Sequence, residues 1–146
     1  MVKKTQKDPN GNYVYTIDIK DHAIPKVIDY ADEILRNQII DPDEVLIHDE
    51  KIEIRFTYPL SEEVLLEYEQ NGGFSRKLLF RIIYEEYRKI YDEEEQVGDP
   101  GIYENLYNRR ESEGPYGIWG HYLDDLYLEI IRYDPKKKVV NLDIGS

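Results

Sequence analysis

Apolar and polar residues alternate in short runs near both ends of the chain and follow a helical period in between. Tyr13, Val14, Tyr15, Thr16, Ile17, Asp18 and Ile19 are rich in β-branched and aromatic side chains and follow the turn sequence Asp8-Pro9-Asn10-Gly11. A first strand is predicted over 13–19, behind a flexible tail over 1–11. Pro25 suits the first turn of a helix, where its missing N–H costs nothing. Val27, Ile28, Ala31, Ile34 and Leu35 then form one apolar face, which predicts an amphipathic helix ending near Asn37.

Residues 44–48 and 52–57 read as two strands joined by Asp49-Glu50-Lys51, a predicted hairpin with Ile52, Ile54 and Phe56 on its dry face. Ser61 is an N-cap residue ahead of Glu62 and Glu63, so Val64, Leu65 and Tyr68 are assigned to a short helix stopped by Asn71-Gly72-Gly73. Phe74-Ser75 opens the longest helix. Its stripe is Leu78, Leu79, Ile82, Ile83, Tyr87, Ile90 and Tyr91, and it runs into Asp92-Glu93-Glu94-Glu95. Acids oppose the negative end of a helix dipole, so fraying is expected there. Residues 97–112 are poorly patterned and partial order is expected. Residues 126–133 and 139–144 flank Asp134-Pro135-Lys136-Lys137-Lys138 and predict a terminal hairpin whose lysines blunt a strand edge.

Strands joined by hairpins, with few crossovers, define the fold class as α+β. The expectation is a single compact domain over 12–146. It comprises an antiparallel β-sheet built from hairpins, with about three helices packed on one face.

Composition narrows the function classes. The 146 residues carry 31 acidic and 19 basic side chains, a formal net charge of −12. Such a surface repels nucleic acid and anionic membrane, and neither is an expected partner. The absence of cysteine removes disulfides, thiol nucleophiles and thiolate metal sites. No apolar stretch approaches a membrane span or a secretory leader, so the chain reads as cytosolic or nuclear and not secreted. The 14 tyrosines against 3 phenylalanines suit half-buried margins and contact surfaces.

Candidate chemistry concentrates in Gly114-Pro115-Tyr116-Gly117-Ile118-Trp119-Gly120-His121, which holds the sole tryptophan. The glycine spacing matches no nucleotide-binding loop. A structural reading has the glycines bend the chain so that Ile118 and Trp119 tuck under the sheet. A functional reading makes 116–125 a working loop of Tyr116, Trp119, His121, Asp124 and Asp125. A histidine near carboxylates suits a general base or a supported metal ligand, and equally a histidine bonded within its own turn. No second histidine lies at metal-binding spacing, and no metal or cofactor is expected. Arg76, Arg109 and Arg110 are the candidate anion-binding residues, suited to a phosphorylated or nucleotide-like ligand.

From Tyr58-Pro59-Leu60 onward the chain resembles an uncharacterised family of small proteins from large (giant) DNA viruses of eukaryotes. Gly73-Phe74-Ser75-Arg76, the run Tyr116-Gly117-Ile118-Trp119-Gly120-His121, Asp125-Leu126, Leu128-Glu129 and the ending Ile144-Gly145-Ser146 carry this. Two positions depart from it: Tyr122 stands where an acid follows the histidine, and Asp143 where a glycine stands. If that acid partners the histidine in the family, Asp124 or Asp125 would take its place here. The resemblance implies a viral source and a host-cell compartment, cytoplasm or nucleus, and no particular reaction. The expected function is that of a small viral accessory protein binding a host or viral protein. The alternatives are a small enzyme or ligand-binding protein with a pocket at 116–125, and a minor virion component.

Overall fold

A computed structural model describes residues 6–21, 24–96 and 111–146. In chain order the strands and helices are β1 (Gln6–Lys7), β2 (Tyr13–Tyr15), α1 (Glu33–Arg36), β3 (Val45–Ile47), β4 (Lys51–Phe56), β5 (Val64–Glu69), β6 (Phe74–Ser75), α2 (Arg76–Glu95), β7 (Tyr127–Asp134) and β8 (Val139–Gly145). Short 3₁₀ turns span Val27–Ala31 and Leu123–Asp125. Six strands form one sheet in the order β1-β2-β7-β8-β4-β5, and β3 pairs with β6 apart from it.

The fold is α+β in a single domain, and its sheet is antiparallel except between β4 and β8, which run parallel. The apolar residues of β4 set the dry side: Ile52, Ile54 and Phe56 are buried and alternate with Lys51, Glu53 and Arg55. α2 covers that side, with Phe56 meeting the ring of Tyr87 edge-on at 5.3 Å. The 3₁₀ turn at Val27–Ala31 packs beside α2 through Tyr30, whose ring meets Phe80 at 5.3 Å. The predicted terminal hairpin is present as β7 and β8.

Four expectations are corrected. The helix assigned after Ser61 is the strand β5, in which Val64, Leu66 and Tyr68 are half-buried and Leu65, Glu67 and Glu69 are exposed. Its period is two, and pairing along the whole of β4 overrides the capping signal. Ser61 caps nothing; its N–H goes to the carbonyls of Tyr116 and Gly117 at 3.1 and 3.0 Å. Among the described residues the helix count therefore falls to two, only one of them long.

The hairpin of 44–48 with 52–57 does not form, because β3 leaves to pair with β6 while β4 takes β5 and β8 as neighbours. The helix predicted from Pro25 to Asn37 is broken at Asp32, whose backbone is extended and whose carboxylate caps α1 through Ile34 N–H at 2.8 Å. Ile34 is left 69% exposed. The acidic end of α2 does not fray: the helix continues through Glu95, and Glu94 is fully buried. Gln6 and Lys7, within the expected tail, pair with Val14 and Tyr13. The weakly patterned stretch 97–112 falls outside the described residues except for its last two.

Candidate functional site

Glu94 continues a stripe of α2 that begins at Tyr87 and Tyr91, spaced i, i+4, i+7, so one helix face carries all three side chains inward. Each holds a different point of the chain above it. The Tyr87 hydroxyl donates to the Tyr58 carbonyl at 2.7 Å, and the Tyr91 hydroxyl donates to the His121 carbonyl at 2.9 Å. The Glu94 carboxylate accepts the Ser112 hydroxyl at 2.6 Å and the N–H groups of Tyr116 and Ile118, both at 3.2 Å. Burial pushes the Glu94 carboxyl up, but the hydrogen bonds from Ser112 and from the backbone of 116–118 prevail and hold it below its ordinary value. A buried carboxylate against successive N–H groups is the arrangement by which loops bind anions. Here the anion belongs to the protein.

The loop around Glu94 is closed from its other side. Ser112 N–H donates to the Ile118 carbonyl at 2.9 Å, and the Ser61 hydroxyl donates to Glu111 at 2.6 Å. Gly117 sits at φ +61°, and a Cβ there would lie 3.0 Å from that of Ser61. Only glycine meets both conditions without strain. The Tyr116 hydroxyl donates to Glu93 at 2.5 Å; that bond and partial burial push its phenol up to about 12.

Ile118 is buried as the sequence indicates, but Trp119 is not tucked under the sheet: it is 41% exposed. Ile118 pairs as an extended residue with Leu60, and on extended backbone consecutive side chains point to opposite sides. The Trp119 N–H of the backbone donates to Pro59 at 3.0 Å, and its indole meets the Tyr58 ring edge-on at 5.2 Å. Tyr58 also lies 5.9 Å from the His121 ring, and its hydroxyl bonds Ser146 at 2.9 Å. Trp119, Tyr58 and His121 thus form one aromatic cluster at the end of the sheet where β8 finishes.

The His121 Nδ1 lies 3.9 Å from the Asp125 carboxylate, too far for a hydrogen bond. Asp125 instead accepts the Tyr122 N–H at 3.0 Å, closing the 3₁₀ turn, and Asp124 is exposed. No general-base pair is assembled between them. Asp143 faces Arg132 at 3.0 Å.

A cleft of about 1200 Å³ opens between β2 and β3, with Tyr13, Tyr15, His48, Asp49, Arg76 and Tyr133 among its lining residues. It contains none of the loop residues. The Tyr133 hydroxyl bonds Asp49, and Tyr15 donates to the Leu46 carbonyl at 2.7 Å. Arg76 donates to the carbonyls of Thr16 and Asp41, at 3.1 and 2.8 Å, and to the Glu44 carboxylate at 2.8 Å. Arg109 and Arg110 lie outside the described residues.

Sequence reasoning missed Glu94 and Tyr58. The helical stripe carried the signal for Glu94, since i+7 from Tyr87 falls on it. Nothing local marks Tyr58. Among the described residues no three His, Asp or Glu side chains converge as a metal site, and no helix is long and apolar enough to cross a membrane. Comparison with protein-family models, with curated proteins and with solved structures finds no match to this chain.

Proposed function

We propose that this chain is a non-enzymatic interaction module, a viral accessory protein that binds a host or viral protein in the cytoplasm or nucleus of the infected cell. Its contact surface is the Trp119–Tyr58–His121 cluster. The observation that carries this is the 41% exposure of Trp119 on a loop fixed from within by Glu94. A large aromatic held rigid at the surface loses little freedom on binding, which is the character of an interface hot spot. The viral assignment rests on the sequence resemblance alone.

Two observations weigh against a catalytic or phosphate-binding loop at 116–125. The N–H groups of Tyr116 and Ile118 are occupied by Glu94, and Arg76 lies away from the loop, bonded to Thr16, Asp41 and Glu44. The test is recovery of a stoichiometric partner from infected cells with the wild-type chain and with Trp119→Ala. The variant is expected to keep its fold and lose the partner. An unchanged partner with Trp119→Ala sinks the reading.

A further inference from the structure

Resting on that reading, we propose that the segment bound at the aromatic cluster carries neighbouring arginines, one guanidinium stacking on Trp119 and another pairing with the acids of the adjoining 3₁₀ turn, Asp124 and Asp125. The two chain segments that meet at the cluster, 56–75 and 111–131, contain no lysine and no arginine. Their charged residues are all acids, His121 aside. Among the described residues, Lys51 is 3.2 Å from Glu67, Arg55 is 3.7 Å from Glu63 and Lys26 lies 5.7 Å over the ring of Tyr127. None of these contacts falls on Asp124 or Asp125.

The cluster therefore offers an exposed indole, a tyrosine ring at its edge and, beyond His121, the Asp125 carboxylate 3.9 Å away, with the exposed Asp124 next to it in sequence. An acidic partner would be repelled, and a purely apolar one would leave the rim acids facing a low-dielectric contact unpaired. Arginine fits both parts. Its planar guanidinium stacks on an aromatic face, and its forked donors match a carboxylate, which a lysine ammonium does as a point charge only. The separation of the indole from the Asp125 carboxylate by two ring contacts asks for a segment with neighbouring arginines and not for a single free amino acid.

Trp119 is the sole indole, so its emission reports on this site alone when tyrosine is not excited. The experiment titrates the full chain with a blocked ten-residue peptide of alternating arginine and serine, and with lysine, citrulline and glutamate versions. The arginine peptide is expected to change Trp119 emission saturably. Lysine should bind severalfold more weakly, and citrulline and glutamate should not saturate. Asp124→Asn, at an exposed position, should weaken the arginine peptide about threefold, and Asp124→Asn with Asp125→Asn about tenfold. Backbone amide NMR shifts should concentrate in 119–125. Equal binding of citrulline, no effect of the asparagine variants, or shifts scattered over the acidic surface and absent from 119–125 would each overturn the proposal. A partner lost with Trp119→Ala but carrying no arginine at its contact overturns this inference and leaves the interaction reading standing.

Discussion

The Glu94 carboxylate accepts the Ile118 N–H at 3.2 Å across 24 residues, joining the last turn of α2 to the middle of the glycine loop. Removing it takes the acceptor from the Tyr116 N–H and leaves the Ser112 hydroxyl and the Ile118 N–H only the weaker bonds they make to each other's residue, at 3.4 and 3.0 Å. Glu94→Ala is expected to cost about 3 kcal/mol, from the cost of orphaned buried donors facing a charged acceptor. For a domain of this size that lowers the melting temperature by roughly 10 °C. The carboxyl is held below its ordinary value of 4.5 when folded. Its contribution is therefore fully present above that value and is lost as pH falls through the lower folded one. The stability gap between wild type and Glu94→Gln, read from urea midpoints, should be constant from about pH 6 to 8 and shrink below pH 4.5. A gap that persists undiminished to pH 3 would show that the charge contributes nothing.

Tyr87 and Tyr91 hold the same loop system through hydrogen bonds to carbonyls, at Tyr58 and His121. Phenylalanine keeps their packing and strands the carbonyls. Each change is expected to cost about 1–1.5 kcal/mol. The two carbonyls belong to residues whose rings touch at 5.9 Å, so the double variant should depart from additivity by at least about 0.5 kcal/mol. Equilibrium unfolding of the two single variants and the double measures this. Strict additivity would mean that Tyr58 and His121 are positioned independently.

Gly117 and Gly120 both have positive φ, at +61° and +77°, but their surroundings differ. An added Cβ meets Ser61 at Gly117 and nothing within 4 Å at Gly120. Gly120→Ala should cost only the left-handed backbone penalty, about 1 kcal/mol. Gly117→Ala adds a clash with a neighbour fixed by its own hydrogen bonds, and roughly 2–3 kcal/mol is expected. Urea denaturation ranks the two, and an equal cost would mean that the Ser61 contact yields freely.

Much of the frame is legible in the sequence because its cause is local. Ser75 reads as a cap and accepts the Leu78 N–H at 3.2 Å; the β7–β8 hairpin reads from alternation around a lysine-rich turn. The errors arise where a distant neighbour decides. Val64, Leu65 and Tyr68 suit a helix taken alone, and become a strand because β4 offers a full length of pairing. Ile34 fits the apolar stripe of a longer helix, yet Asp32 caps a new one and leaves it in solvent. The candidate loop was legible as a location through its glycines and its single tryptophan. Its support was not, since Glu93, Glu94 and Glu95 look alike until the helix phase singles out the middle one.

The charge around Trp119 has a consequence that needs no partner to observe. Its loop and the segment against it supply acids and no lysine or arginine, and the indole is 41% exposed. A cationic quencher is concentrated in such a field and an anionic one depleted. Caesium should therefore quench Trp119 emission at low salt severalfold more efficiently than iodide, after each is scaled to a free indole. Neutral acrylamide should fall between them. Raising ionic strength from about 0.01 M to 1 M shrinks the screening length from roughly 30 Å to 3 Å, so the two ions should converge. If iodide quenched as well as caesium at low salt, the cluster would lack the negative field that attraction of an arginine requires, even with Trp119 exposed as described.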